Sequence, residues 1–148
     1  MNEKKEIVLV ALIFVIAIII LPISAVILTH GTDPYRIVEG RPVADAAEQA
    51  GLVVCSETDT TWDIPGNTGG KVYTISDNCE NPSETVRIEV YSFESADSRD
   101  AAIKAYHTNT IGKARPHGNM IVLGQYLIFI ESSGGSLFTK IAEKLNEF

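Results

Sequence analysis

The clearest fold signal in this chain is the stretch MIVLGQYLIFIE at residues 120–131. Apolar residues fill positions 120–123 and 126–130, and the pair Gly124-Gln125 separates the two runs. Glycine in the first position of a two-residue loop suits a type II′ turn, which favours a β-hairpin. Since nearly every position in both arms is apolar, we expect other elements of the domain, or a partner, to cover both faces of these strands.

Three more strands are predicted upstream of this hairpin. In the segment 85–93 apolar and charged residues alternate, which indicates one buried and one solvated face. Residues 71–76 are predicted to be its antiparallel neighbour, joined to it by a turn at residues 77–84. Residues 52–56 are apolar and β-branched enough to be a buried strand, whereas the Thr, Asp, Pro, Asn and Gly content of residues 57–70 predicts a loop.

Three helices complete the predicted domain. Residues 42–50 begin with proline and are followed by glycine, which is typical of a short helix. A serine precedes residues 96–108 and suits the N-cap of a second helix. In the last segment Leu137, Ile141 and Leu145 recur every four residues, as the inner stripe of a helix does. The order α-β-β-β-α-β-β-α predicts an α+β fold with a mostly antiparallel sheet packed by helices.

Cys55 and Cys79 are the only cysteines in the chain. Two lone cysteines in a small domain that faces away from the cytoplasm most often form a disulfide. Closing a loop of this size is expected to stabilise the fold by about 3 kcal/mol in the chain-entropy model. The alternative is a pair of buried free thiols in a domain that faces the cytoplasm.

Residues 7–28 form an apolar run without a charged residue. At 1.5 Å per residue, a helix of this length matches the ~30 Å hydrocarbon core of a bilayer. We therefore expect a single transmembrane helix that anchors the chain in the lipid bilayer. The alternative is a cleaved secretory signal, with Lys4 and Lys5 as its charged start and Ala25 at the cleavage position; the run is longer than the roughly 7–15 apolar residues usual for such signals.

The charges beside the apolar run suggest its orientation. Lys4 and Lys5 favour a cytoplasmic tail at residues 1–6, in agreement with the oxidising environment that a disulfide needs. Residues 29–41 contain glycine and proline without a sustained period, which predicts a tether. The expected arrangement is a cell-membrane protein whose residues 42–148 form an extracytoplasmic domain, or a secreted domain if the signal is cleaved.

Net charge and missing motifs limit the function classes. The formal net charge of −7 falls entirely on the part after residue 28, because the lysines and glutamates of residues 1–6 cancel. An acidic domain repels phosphate backbones, so we expect no nucleic-acid partner. No familiar catalytic or metal-ligand motif is present, so no catalytic residue, metal or cofactor is assigned. A hydrolase or metalloenzyme site around His107 and His117 is the least favoured hypothesis.

Two features are weak candidates for a binding site. Lys113, Arg115 and His117 form the one basic cluster of the acidic domain, and such a loop at residues 112–118 suits an anionic ligand. The alternative is a solvated connection whose cations balance nearby carboxylates. Trp62, alone in a polar segment, is either a cover folded over the sheet or an exposed anchor for a partner.

The tether, the disulfide and the absence of catalytic signatures favour an extracytoplasmic interaction module. Such a module would be an accessory subunit or surface protein that meets another membrane or surface protein. The alternative from another class is an ectodomain that binds a small molecule or anion through residues 112–118.

Overall fold

The computed structural model describes residues 34–108, 116–131 and 135–148. Its strands are β1 (Val53–Thr60), β2 (Asn67–Ser76), β3 (Thr85–Phe93), β4 (Asn119–Leu123) and β5 (Tyr126–Glu131), and its helices are α1 (Pro42–Gln49), α2 (Ala96–Thr108) and α3 (Ser136–Leu145). The strands form one sheet in the order β1-β2-β3-β5-β4, and every neighbouring pair is antiparallel.

The predicted antiparallel sheet packed by helices is confirmed for the described residues. The order of their elements is the expected one, and the predicted helix at residues 7–28 lies outside them. No helix within the described ranges is long and apolar enough to cross a membrane. The predicted fold is therefore confirmed for the described domain, whereas the transmembrane helix stays a prediction.

The hairpin at residues 119–131 supplies the centre of the sheet. Residues 127–130 of β5 are 0 % exposed, because β5 lies between β3 and β4 and both of its faces are covered. Gly124 begins the turn with φ +55°, a conformation that favours glycine. A Cβ on Gly124 would also lie only 2.6 Å from the carbonyl oxygen of Arg36, so this position excludes larger residues.

Side chains alternate between the two faces of the sheet and form two cores. One face packs against α1 and α3, with Ile75, Ile88, Ile128, Ile130, Val43, Ile141 and Leu145 among its buried residues. The other face packs against α2 and an aromatic cluster made of Trp62, Tyr91, Phe93, Tyr106 and Phe129. The domain thus has three layers, and both faces of the central strands are covered by other elements.

The first strand differs from its prediction. The expected buried strand at residues 52–56 is in fact the edge strand β1, which runs on to Thr60 and is mostly exposed or half-buried. The expected loop at residues 57–70 is wrong at both ends, since β1 and β2 pair there from Thr58 with Val72 to Thr60 with Gly70. Polar composition misled the prediction because an edge strand needs no continuous apolar pattern.

Residues 35–38 are part of the folded domain, whereas the sequence suggested a tether over 29–41. The Val38 N–H donates to Gln125 Oε1 at 2.7 Å, and Gln125 Nε2 donates to the Val38 carbonyl at 2.9 Å. The Tyr35 hydroxyl donates to the carbonyl of Phe93 at 3.0 Å. Buried Gln125 thereby pairs with this segment as a neighbouring strand would, and the domain begins before Pro42.

Candidate functional site

The register of β1, β2 and β3 collects polar side chains on one face of the sheet. Glu57 pairs with Tyr73, Asp59 pairs with Lys71, and Lys71 in turn pairs with Val90. Directly opposed residues of paired strands share a face. These five side chains therefore lie together, on the same face as α1 and α3 but beyond the part that the apolar core occupies.

A cleft of about 540 Å³ opens at this place, between the start of α1 and the first three strands. Its floor is formed by the sheet, with Tyr73, Val90 and Tyr126, and its walls come from residues 40–43 and from the ends of β1 and β2. The remaining lining residues are Glu57, Asp59, Thr60, Thr61, Thr68, Gly69, Gly70, Lys71 and Ser92. The cleft combines an apolar floor with charged and hydroxyl-bearing walls.

Four charged residues alternate in sign along the cleft, and we call them the charged row: Arg41, Glu57, Lys71 and Asp59. Lys71 Nζ lies 2.7 Å from Asp59 Oδ1 and 3.2 Å from Glu57 Oε1. Arg41 forms an ion pair with the other oxygen of Glu57. The row carries two positive and two negative charges, so it is formally neutral within a domain of net negative charge.

Hydrogen bonds to neighbouring side chains stabilise the protonated, charged forms of Lys71 and Arg41. Bonds to Asp59 and then to Glu57 raise the pKa of Lys71. A hydrogen bond to Tyr73 and the charge of Glu57 raise the pKa of Arg41. All four side chains nevertheless remain in contact with water, with exposed fractions of 57 % for Arg41, 25 % for Glu57, 43 % for Lys71 and 86 % for Asp59. Ion pairs this exposed stabilise a fold by only about 0–1 kcal/mol.

Tyr73 connects the row to the floor of the cleft. Its ring is buried in the core beneath α1, and burial raises the pKa of its hydroxyl, although the hydrogen bond from Arg41 opposes that rise. Tyr73 therefore lies beside Arg41 at one end of the row.

The arrangement suits the binding of a polar molecule. Arg41 and Lys71 are donors, Glu57 and Asp59 are acceptors, and the hydroxyls of threonine and serine residues at the walls supply both. Small-molecule sites are concave, mostly apolar and about 300–1,000 Å³ in volume, with a few placed polar groups that orient the ligand. The cleft has each of these properties.

The sequence-predicted site residues that the structure describes, among them His117 and Trp62, do not line the cleft. Lys113 and Arg115 lie outside the described residues, and His117 is exposed at the start of the segment that leads to β4. His107 is exposed near the end of α2. In the described ranges no group of three or more His, Cys, Asp or Glu side chains is arranged to hold a metal ion. The predicted ligand site at residues 112–118 stays a prediction.

The disulfide between Cys55 and Cys79 is present, with its Cα atoms 5.3 Å apart. Cys55 lies at a bulge in β1, where the register with β2 shifts between Val54 and Ser56. Cys79 lies in the turn between β2 and β3. The bond therefore fastens the edge strand that carries Glu57 and Asp59 to the neighbouring hairpin.

Trp62 is 3 % exposed and belongs to the aromatic cluster on the opposite face. Its ring lies 5.3 Å from Tyr91 and 5.7 Å from Phe129, measured between ring centroids. This burial agrees with the interpretation of Trp62 as a cover over the sheet. A role in partner binding stays a prediction, and it would require the indole to leave this cluster.

The cleft was missed by the sequence analysis. Glu57 and Asp59, like Lys71 and Tyr73, are spaced two residues apart, which is the signal of a shared strand face. The signal was missed on β1 because residues 57–70 were predicted to be a loop, so the strand predicted at residues 71–76 had no neighbour on that side. Neither a family model, nor a curated protein, nor a solved structure matches this chain.

Proposed function

We propose that this chain is a membrane-anchored domain, held outside the cytoplasm, that binds a small polar molecule in the cleft beside α1. The charged row is the observation that carries this proposal. Four charged side chains line this one concavity, where they form ion pairs with one another. Binding, rather than catalysis, needs only such placed donors and acceptors.

The framework of the cleft supports a preformed site. Glu57, Asp59, Lys71 and Tyr73 stand on paired strands, and Arg41 directly precedes the first turn of α1. Sites built on strands and helices hold their side chains more accurately than sites on loops. A ligand would therefore meet donors and acceptors that are already in place.

The location rests on two features outside the cleft. The apolar run at residues 7–28 is long enough to span a bilayer, and the disulfide is typical of oxidising compartments. An anchored domain of this kind meets its ligand at the membrane surface. A secreted domain, after signal cleavage, is the alternative for this part of the proposal.

A matched pair of tryptophan variants tests ligand binding. Thr68 and Thr58 are both exposed strand residues, but only Thr68 lines the cleft. We expect native mass spectrometry of the gently extracted full chain to show a bound small molecule, which Thr68→Trp loses and Thr58→Trp retains. Equal binding by both variants, or no bound molecule and no thermal stabilisation by any compound of a metabolite library, would contradict the proposal.

The anchor is tested by fractionation and intact mass. A retained helix keeps the full chain in the membrane pellet after an alkaline carbonate wash, with residues 1–28 still present by mass. A cleaved signal gives a soluble protein whose mass lacks residues up to about Ala25. The second result would replace the anchor by secretion and leave the ligand proposal unaffected.

The predicted interaction module is a second candidate, favoured by the other edge of the sheet. Charged residues on an edge strand usually prevent its pairing with another chain, and Glu57 and Asp59 have this position on β1. The edge strand β4 has none, and Met120, Ile121 and Val122 on it are half-buried. A strand or apolar surface of another membrane or surface protein would fit there.

Affinity purification from native membranes in mild detergent tests this second candidate. A partner recovered in equal amounts with the chain, lost with Val122→Lys on β4 and kept with Thr58→Lys on β1, would support it. A chain that purifies alone, or a partner indifferent to both variants, would remove β4 as an interaction surface.

A further inference from the structure

The ligand chemistry of the cleft follows from the order of charges in its wall, and this step rests on the function proposed above. Along the charged row the signs run positive, negative, positive, negative from Arg41 to Asp59. Lys71 is shared between two carboxylates, and Glu57 is shared between two cations. Every charge in the row already has a partner of opposite sign within hydrogen-bond reach.

A ligand with a single charge disturbs this balance. An anion that binds Lys71 must displace Asp59 or Glu57, and the displaced carboxylate then lies beside the anion. A cation that binds Asp59 likewise competes with Lys71 for it. Like charges that meet in a partly enclosed site cost free energy that the new ion pair must first offset.

A ligand with both charges avoids this cost. Its carboxylate takes the place of Glu57 or Asp59 opposite a cation, while its ammonium group pairs with the carboxylate that has been released. The exchange itself is nearly neutral, because the half-exposed ion pairs of the row are weak. The gain comes from charge-assisted hydrogen bonds at both ends of the ligand, which are about twice as strong as neutral ones.

The floor of the cleft indicates which uncharged part the ligand should carry. Val90, Tyr73 and Tyr126 lie on one face of β3, β2 and β5, and Pro42 and Val43 face them from α1. Burial of apolar surface stabilises a bound apolar group, and half-buried Tyr126 offers more of that surface than Tyr73 and Val90, which are 4 % and 6 % exposed. A charged head beside an apolar tail is thus the shape that the cleft complements.

We infer that the cleft binds a zwitterion with an apolar side chain, a free amino acid or a short peptide, through the charged row. The ligand carboxylate takes the place of Glu57 between Arg41 and Lys71, and the ammonium group pairs with the released Glu57 and with Asp59. The side chain lies against Val90 and Tyr126. A neutral polyol can form hydrogen bonds with the row and the walls, but it brings no charge that replaces a partner in the ion pairs of the row.

Isothermal titration of the full chain in mild detergent with four probes tests the inference. L-phenylalanine carries both charges, N-acetyl-L-phenylalanine only the negative, L-phenylalanine methyl ester only the positive, and D-glucose neither. We expect L-phenylalanine to bind, and each singly charged analogue to bind at least about tenfold more weakly, because each loses charge-assisted hydrogen bonds at one end.

Variants of the row separate a site in the cleft from binding elsewhere. Lys71→Gln and Asp59→Asn should each weaken the binding of L-phenylalanine by about tenfold or more. Lys140→Gln and Glu48→Gln, which change exposed charges on α3 and α1, should leave it unchanged. Circular dichroism of each variant verifies that the fold is retained.

The outcomes distinguish this inference from the function on which it rests. If a singly charged analogue or D-glucose binds as tightly as L-phenylalanine, and Lys71→Gln weakens that binding, the cleft is a ligand site and the zwitterion inference is wrong. If no probe binds at millimolar concentration, while Thr68→Trp still loses a native ligand, the inference fails alone. If neither is observed, both fail.

Discussion

The two faces of the sheet near Thr60 are built in opposite ways. On one face Trp62 folds back over Tyr91 and Phe93 and is 3 % exposed, so that aromatic rings close the surface. On the other face, across the same strands, a cleft of about 540 Å³ stays open. One face is closed with apolar rings and the other is left open with paired charges.

The closed face depends on close approach between backbone and rings. A Cβ on Gly70 would lie 2.2 Å from the Val90 carbonyl oxygen and 2.9 Å from the Tyr91 ring, so only glycine fits beneath this aromatic cluster. The Tyr91 hydroxyl donates to Glu89 Oε2 at 2.7 Å, which satisfies a carboxylate that is 8 % exposed. The closed face thus contributes a packed core, whereas on the open face the charged side chains remain in contact with water.

Removal of Trp62 from the aromatic cluster should change stability the most. Trp62→Ala should lower the free energy of unfolding by about 3–5 kcal/mol, because a large buried ring is lost and a cavity remains. Urea unfolding followed by circular dichroism measures this, since the variant lacks the only tryptophan of the chain. Asp63→Ala, an exposed neighbour, is the control and should stay within about 0.5 kcal/mol of the wild type. A loss below 1 kcal/mol in Trp62→Ala would show that the closed face is not a stabilising core.

Loss of the disulfide should have the next largest effect on stability, because the bond fastens the edge strand β1, whose side chains point to both faces of the sheet. Its two cysteines are 24 residues apart in sequence, and the double variant Cys55→Ala/Cys79→Ala should lose about 3 kcal/mol of stability in the chain-entropy model. The same urea unfolding measures it. The reduced wild-type protein should lose a similar amount, and an unchanged midpoint in both would mean that β1 holds its place without the bond.

Two tyrosines on opposite faces give the smallest and sharpest comparison. Burial and the neighbouring Glu89 carboxylate raise the pKa of Tyr91 to about 12. Burial also raises the pKa of the Tyr73 hydroxyl, but the hydrogen bond from Arg41 opposes this rise. A raised pKa stabilises the fold fully below the ordinary value of 10.0, and the stabilisation is lost as the pH rises through about 12.

We therefore expect Tyr91→Phe to reduce the loss of stability between pH 10.0 and about 12 more than Tyr73→Phe does. Absorbance titration of tyrosinate checks the assignment, because the step near pH 12 should disappear only in Tyr91→Phe. Equal alkaline profiles for the two variants would show that Glu89 beside Tyr91 and Arg41 beside Tyr73 do not make the pKa values of the two hydroxyls differ.

Local sequence signals predicted the sheet centre and the helices well. Glycine before Gln125 and the apolar runs on either side fixed the hairpin at residues 119–131, and β3 has the bounds that its alternation predicted. The helix stripe of Leu137, Ile141 and Leu145 is buried as expected. In these elements the local pattern predicted the type of element, but not all of its burial: β3, expected to have one solvated face, is buried on both, because Glu89, Tyr91 and Phe93 are covered as well.

The same reasoning failed where a residue's surroundings come from distant parts of the chain. Arg99 was not expected in the core, yet it is 2 % exposed, and it donates to the Gly124 carbonyl and pairs with Asp100. Gln125 is buried only because Val38 supplies its two hydrogen bonds. Polar residues with such partners are indistinguishable in sequence from exposed ones.

The sequence alone contains the apolar run, favoured a disulfide between its two cysteines over free thiols, and predicted the hairpin around Gly124-Gln125. Only the tertiary structure decided that β1 is an edge strand and that Arg41 meets Glu57 across sixteen residues of chain. Periodicity and turn chemistry act between residues that are near in sequence. The cleft arises instead from the register of the strands and from the position of the start of α1 over the sheet.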